Sequence, residues 1–262
     1  MNIDLSNRVV AVTGGSSGIG AGIATLAAQC GAKVAVIARD DEKMQEVVSE
    51  IESQGRQAMA AKADITKSNE VGAAFEKIAK KFGRIDGVVA NAGINGTWAP
   101  IDEISPEQWR KTIDVNLTGT YLTVYHSVPY LRKHNSGSIV IMSSINGTRT
   151  FSNEGASAYA ASKAGQFALA QMLALELAAS KIRVNVICPG AIESKIHGKT
   201  KRKNLEKIET PVEFPQGNIP LTDGDFGKPE QVASMVAFLL CELSDHITGT
   251  PVWIDGGQSL IV

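Results

Sequence analysis

The stretch Arg8–Gly20, RVVAVTGGSSGIG, decides how this chain is read. Val9 to Thr13 is apolar or β-branched without polar alternation. A strand of that kind is buried on both faces, as in a parallel sheet between helix layers. Gly14, Gly15, Gly18 and Gly20 follow at once, and an Ala-rich helical pattern then runs to Cys30-Gly31. Strand, glycine turn and helix start together let a backbone approach a pyrophosphate and offer it free helix amides. A purely structural turn also uses glycines, but the first βα turn of such a sheet is where dinucleotides bind.

The same alternation continues outward. KVAVIA (Lys33 to Ala38) precedes a charged amphipathic helix closed by Gly55, and QAMAAKAD precedes a helix closed by Gly83 and the run IDGVVA. Glycine at each stop predicts left-handed C-terminal caps. Ser105-Pro106-Glu107-Gln108 predicts a helix start with a capping box. GSIVIMSS, a long helix over about Ala156–Ser180, IRVNVIC, an irregular polar segment, a helix over about Pro229–Leu243 and a strand near Thr250–Ile254 complete the chain. No repeat or linker-like shift divides it, so the pattern predicts one α/β domain over 1–262, doubly wound.

Bulk properties exclude several classes. Hydrophobic content is 44%, charged content 20%, and the formal net charge of -1 leaves no basic excess for a nucleic-acid partner. No apolar run is long enough to cross a bilayer. MNIDLSNRVV reads straight into a strand rather than a signal peptide. Cys30, Cys188 and Cys241 are odd in number and far apart, and the four histidines are scattered. These features predict buried cysteines, no metal and a cytoplasmic protein.

The glycine spacing is Thr13-Gly-x-x-x-Gly-x-Gly rather than G-x-G-x-x-G, and it resembles the short-chain dehydrogenase/reductase family. Asn91-Ala92-Gly93, Asn116 in DVNLTG, Tyr159-x-x-x-Lys163, Pro189-Gly190 and Asp255-Gly256-Gly257 match further motifs of that family in order, across nearly the whole chain. The resemblance implies a Rossmann-type, seven-stranded parallel sheet in the order 3-2-1-4-5-6-7 with helices on both faces. It also implies a substrate lid at about 191–226 and a homotetramer formed through the long helices and the C-terminal strand. Dinucleotide contacts carry over to Gly14, Ser16, Ser17, Gly18, Ile19, Gly20, Asn91, Ala92, Gly93, Tyr159, Lys163, Pro189, Gly190 and Ile192. Asp64 and Ile65 match the family's adenine-binding positions.

An NAD-selective site places an acid about 20 residues beyond the loop, on the ribose 2′-hydroxyl. Ala38 fills that position here, and Arg39 follows. A guanidinium can take a 2′-phosphate in bidentate fashion, whereas a carboxylate would repel it. Arg39 could also be only a solvated strand-end charge, with Asp40 capping the next helix. The reading favours NADP(H) and leaves NAD(H) open.

Tyr159 and Lys163 stand one helical turn apart. A tyrosine with an ordinary pKa near 10 makes a poor base at neutral pH. A neighbouring ammonium is expected to favour the phenolate and bring it towards operating pH. By resemblance, Lys163 also holds the nicotinamide ribose. Met142-Ser143-Ser144 ends a strand at the carboxyl edge, where a hydroxyl can bond a substrate oxygen. Alignment of SSING with the family's Ser-Ser-x-x-Gly pattern favours Ser144 over Ser143. The 15 residues from Ser144 to Tyr159 are about two more than the family's usual spacing, so TRTFSNEGAS is expected to form an enlarged loop over the substrate. Asn116, by resemblance, holds a water linked to Lys163 in a proton relay.

Other features carry less. KTKRKNLEK (Lys199 to Lys207) reads as a solvated lid face or as an attractor of an acidic substrate or carrier protein. Met142 and Met172 are expected in the core. Arg149 and Glu154 could contact a polar substrate, and Trp98 could border the pocket. The resemblance implies an alcohol dehydrogenase or ketoreductase acting on a small alcohol or carbonyl. A 3-oxoacyl-carrier-protein reductase and a sugar or polyol dehydrogenase are both candidates. A nonenzymatic dinucleotide sensor would have lost Tyr159 or Lys163, and a sugar-nucleotide epimerase would need a separate substrate domain.

Overall fold

The computed structural model describes residues 2–151, 153–194, 198, 200–209 and 219–261. Seven parallel strands form the central sheet: β1 (Val9–Thr13), β2 (Lys33–Ala38), β3 (Ala58–Lys62), β4 (Gly87–Ala90), β6 (Gly137–Met142), β7 (Ile182–Pro189) and β9 (Pro251–Ile254). Their order is β3-β2-β1-β4-β6-β7-β9. With the two short strands outside this sheet set aside, it is the expected order. Those two, β5 (Thr97–Trp98) and β8 (Lys201–Arg202), pair with each other in a parallel ribbon that the periodicity did not announce.

The helices are α1 (Gly18–Gln29), α2 (Asp41–Ser53), α3 (Ser68–Phe82), α4 (Pro106–Ile113), α5 (Gly119–Lys133), α6 (Ser157–Leu177) and α7 (Pro229–Leu240). Gly31, Gly55 and Gly83 follow the first three with φ of +100°, +72° and +83°, as left-handed caps require. Ser105 takes the Gln108 amide at 3.3 Å while Gln108 Oε1 takes the Ser105 amide at 2.9 Å, completing the capping box at α4.

Two cores explain the unalternating strands. Val10, Val12, Val34 and Val36 face a cluster with α1, α2 and α7. Val9, Ala11, Ala35 and Ile37 face the other side with α3, α5 and α6. Side chains that alternate between two buried layers leave no polar position to mark a surface.

Met142 is buried, but Met172 is 70% exposed, which corrects the core expectation for it. It belongs to an outer face of α6 that also exposes Leu175. Cys188 and Cys241 are buried, whereas Cys30 is only partly so, because it sits in the turn after α1. No described helix is long and apolar enough to cross a membrane.

Candidate active site

The predicted site residues gather at the carboxyl ends of β1, β4, β6 and β7. The glycine loop leaves β1 and is tied to β4 by Thr13, whose hydroxyl donates to Val89 O at 3.2 Å and accepts from the Asn91 amide at 3.1 Å. Asn91 Nδ2 returns a bond to Thr13 O at 3.0 Å. Asn91-Ala92-Gly93 thus fastens β4 to the turn. A Cβ on Gly20 would collide with the Gly14 carbonyl, so the α1 entry needs glycine there. Ser17 occupies the N-cap of α1 without making a side-chain cap bond, and the first turn holds no acid. Amides left this way suit an anion.

At the far end of the loop, the bases Arg39, Arg110 and Lys111 and the acids Asp64, Glu107 and Asp114 line an open cavity of about 310 Å³. Arg39 Nη1 lies 3.7 Å from Asp64 Oδ2, and its side chain is largely exposed. Burial pushes the Asp64 carboxyl up. The Thr66 amide and hydroxyl at 2.9 and 2.8 Å, with Arg39 nearby, outweigh that and hold it below its ordinary value. Asp40 caps α2 by accepting the Lys43 amide, so that part of the alternative reading also stands. Ile65 is buried, and a Cβ on Gly119 of α5 would strike it.

Tyr159 and Lys163 sit in the first two turns of α6. Lys163 is 4% exposed, donates from Nζ to Met142 O at 2.8 Å, and lies 5.5 Å from the Tyr159 ring centre. Ser143 and Ser144 separate cleanly. Ser143 Oγ is committed to Lys163 O at 2.8 Å, whereas Ser144 Oγ accepts the Asn146 amide at 3.2 Å and is near enough to the Tyr159 phenol to pull it down. The electrostatics correct one expectation. In the protein alone burial pushes the Tyr159 phenol up, with only Ser144 pulling it down. Lys163 is not among the groups that pull it down, and burial pushes its own pKa from 10.5 down to about 8.

Asn116 is fully buried in a π turn, Asp114–Thr118, that joins α4 to α5. Its side chain accepts the Ile94 amide at 2.8 Å and donates to Ile94 O and to Ser162 Oγ, both at 2.9 Å. Its own carbonyl accepts from Thr120 Oγ1 at 2.7 Å and Gln166 Nε2 at 2.9 Å. π turns of this kind recur at functional sites, where they re-aim a backbone carbonyl. Ser162 and Gln166 were missed in the sequence. Their spacing of three and seven from Tyr159 marks the same helix face, and that was the available signal.

Pro189 ends β7, and Gly190 and Ile192 follow it. Gly190 donates to Ile254 O at 3.0 Å, and the Ala191 amide donates to Gln258 Oε1 at 2.9 Å. Asp255 accepts the amides of Gly257 and Ser259. The Asp-Gly-Gly ending therefore builds the turn whose Gln258 steadies the segment after Pro189. Of the expected lid, residues 195–197, 199 and 210–218 lie outside the described residues, Lys199 among them.

The enlarged loop packs closely. A Cβ on Gly147, at φ +86°, would strike the α6 backbone at Ala160 and Ala164, so the small residues around Tyr159 admit this loop. Arg149 stacks its guanidinium 3.5 Å from the Trp253 ring centre, engaged with the C-terminal strand. Trp98 does border the site, its ring centre 6.4 Å from that of Tyr159. The basic run is not a uniformly solvated face. Lys203 and Lys207 pair with Glu103 at 3.2 and 2.6 Å, and Asn204 donates to the same carboxylate at 2.6 Å.

Known proteins agree with this geometry. The family model described as Enoyl-(Acyl carrier protein) reductase matches residues 14–259. The chain is 37% identical to a 3-oxoacyl-[acyl-carrier-protein] reductase FabG of Thermotoga maritima, covering 97% of this chain and 98% of that one. It is 34% identical to a cis-4-hydroxycyclohexanecarboxylate dehydrogenase of Sinomonas cyclohexanicum, with 98% of each covered. The crystal structure of a 3-ketoacyl-ACP reductase from Sinorhizobium meliloti 1021 superposes with a TM-score of 0.94 at 48% identity, covering 97% of this chain and 100% of that one. By the family match, these relatives and the sheet order, the chain belongs to the short-chain dehydrogenase/reductase family and is an oxidoreductase.

Proposed function

We propose that this protein is an NADP(H)-dependent alcohol dehydrogenase or ketoreductase, with Tyr159 as its general acid/base. One observation carries the reading: buried Lys163 stands one turn from Tyr159, its Nζ 5.5 Å from the phenol ring centre, with Ser144 at the carboxyl edge of the sheet beside them. When bound, the nicotinamide supplies the hydride acceptor or donor and, in its oxidised form, a positive charge near the phenol. Tyr159 passes the proton to or from the substrate oxygen, and Ser144 orients that oxygen and stabilises charge on it. Asn116 holds Ile94 and Ser162 so that the segment after Gly93 and the face of α6 keep their spacing. Burial raises the free phenol, so the proton is retained until a positive charge arrives beside it.

The residues present fit a dinucleotide. The uncapped amides of α1 suit its pyrophosphate, with Ser16, Ser17, Gly18, Ile19 and Gly20 along the turn. Arg39 faces the cavity with Asp64, and that exposed guanidinium supports a 2′-phosphate. Pro189, Gly190 and Ile192 would line the nicotinamide end. The substrate class is a secondary alcohol or its ketone, in keeping with relatives named for 3-oxoacyl and hydroxycyclohexanecarboxylate substrates. The free cysteines suit a reducing cytoplasm, and the apolar faces of α5 and α6 suit a homotetramer.

A panel of ketones and alcohols with NADPH/NADP⁺ and NADH/NAD⁺, followed by nicotinamide absorbance, tests the reading. Turnover is expected to favour the phosphorylated nucleotide, and Arg39→Ala to erase that preference. Tyr159→Phe and Ser144→Ala are expected to lower kcat by about 10²-fold or more, and Ser143→Ala far less. Equal or better activity with NADH overturns the Arg39 assignment, and near-normal turnover of Tyr159→Phe overturns the proton transfer.

A further inference from the structure

The β5–β8 ribbon brings a cation to the site's mouth. Its register sets Trp98 opposite Arg202 and Thr97 opposite Lys201. Cross-strand partners on one face are contact neighbours, and the Arg202 guanidinium carbon lies 5.7 Å from the Trp98 ring centre. Trp98 in turn packs beside Tyr159. Arg202 is therefore one aromatic ring removed from the reactive phenol. Lys201 alternates to the other face of the ribbon.

The neighbouring charges are spoken for. Glu103 takes Lys203, Lys207 and Asn204, and Asp102 and Glu206 also act on Lys207. No carboxylate among the described residues pairs with Arg202 or Lys201, and both are exposed. The Glu103 cluster fixes the chain after β8, and the Asn95 Nδ2 bond to Thr200 Oγ1 at 2.7 Å fixes the chain before it. The Trp98 indole N–H, bonded to Asn95 O at 3.2 Å, holds the ring that Arg202 covers. The ribbon is thus braced at both ends, and it holds over the ring that borders Tyr159 a guanidinium that no carboxylate among the described residues pairs.

We propose that Arg202 is a specificity-determining residue: it selects substrates that carry an anionic group, a carboxylate or a phosphate ester, beside Trp98. The proposal rests on the oxidoreductase reading above and adds the substrate's charge. Arg offers a planar fork that matches either anion, and stacking on Trp98 orients that fork before the substrate arrives. Its force is that of a rim charge, modest and weakened by salt.

The test uses ketones in matched pairs, acid against methyl ester: 4-oxopentanoate, 4-oxocyclohexanecarboxylate and 7-oxooctanoate. A 4-oxopentyl phosphate, against 4-oxopentanol, separates phosphate from carboxylate. Each is assayed for turnover, and each is titrated by ligand-observed NMR against the protein with NADP⁺, which permits no turnover of a ketone. At least one anion is expected to beat its neutral partner by about fivefold in kcat/KM and in affinity. Arg202→Gln should remove that preference through KM, leave the neutral ketone unchanged, and let Arg202→Lys recover part of it. Lys201→Gln, on the opposite face, should change little, and 0.5 M NaCl should shrink the preference.

If no pair shows a preference, or Arg202→Gln weakens acid and ester equally, the proposal is overturned. An equal loss with Lys201→Gln also overturns it, since diffuse charge would then suffice. The underlying reading fails separately. No turnover of any ketone, with an Arg202-dependent preference in the titrations, removes the ketoreductase reading proposed above and keeps the anion site.

Discussion

Lys163 carries the sharpest residue-scale consequence. Its ammonium is buried, and the buried form is pushed from 10.5 to about 8. Between those values the unfolded chain binds more protons than the folded one, so stability rises with pH through this window. Below about 8 both states are charged and the full burial cost is present. Above about 10.5 neither is charged and the cost is gone. Lys163→Met should therefore stabilise relative to the wild type near pH 7, with the advantage shrinking by on the order of 3 kcal/mol towards pH 10.5. Urea denaturation of the cofactor-free protein at several pH values measures this, and a pH-independent difference would refute it. The Tyr159–Lys163 spacing was legible because a helix fixes it. That burial would raise the phenol was not, because desolvation depends on every element packed around α6.

At the scale of elements, the β5–β8 ribbon and the Gly147 loop shape the mouth. Two-residue strands contain no periodicity, so nothing in TW or KR announces a pairing between segments a hundred residues apart. Glu103 holds the ribbon's far end, and Lys207, Asn204 and Lys203 together pull its carboxyl down to about 2. The latch is present above the ordinary carboxylate range and is lost only as pH falls through about 2, so it is closed at all working pH values. Glu103→Gln should open it: trypsin should cut at Lys201, Arg202 and Lys203 about fivefold faster, with the global unfolding midpoint little moved. Unchanged cleavage would mean that pairing with Thr97 and Trp98 suffices. That Ser143 is spent on Lys163 O was likewise visible only in the packing of β6 on α6.

At the scale of the whole molecule, α5 exposes Tyr121 and Tyr125, and α6 exposes Met172 and Leu175. The Arg132–Glu176 pair, at 3.9 Å, links the two helices. An apolar face of this kind suits contact with further copies. Met172→Glu should move the protein from the proposed tetramer to smaller species in size-exclusion chromatography without altering its circular dichroism. A wild-type monomer, or an unmoved variant, refutes that assembly. By itself the sequence determined the alternation of strands and helices, the glycine turn, the caps, the capping box and the Tyr159–Lys163 pair. Each is a local consequence of backbone geometry or of side-chain period. The tertiary structure alone decided that Met172 faces outward, that Arg149 stacks on Trp253, and that Arg202 stands over Trp98. Those outcomes depend on which surfaces meet when distant segments close together, and no short window of residues contains that.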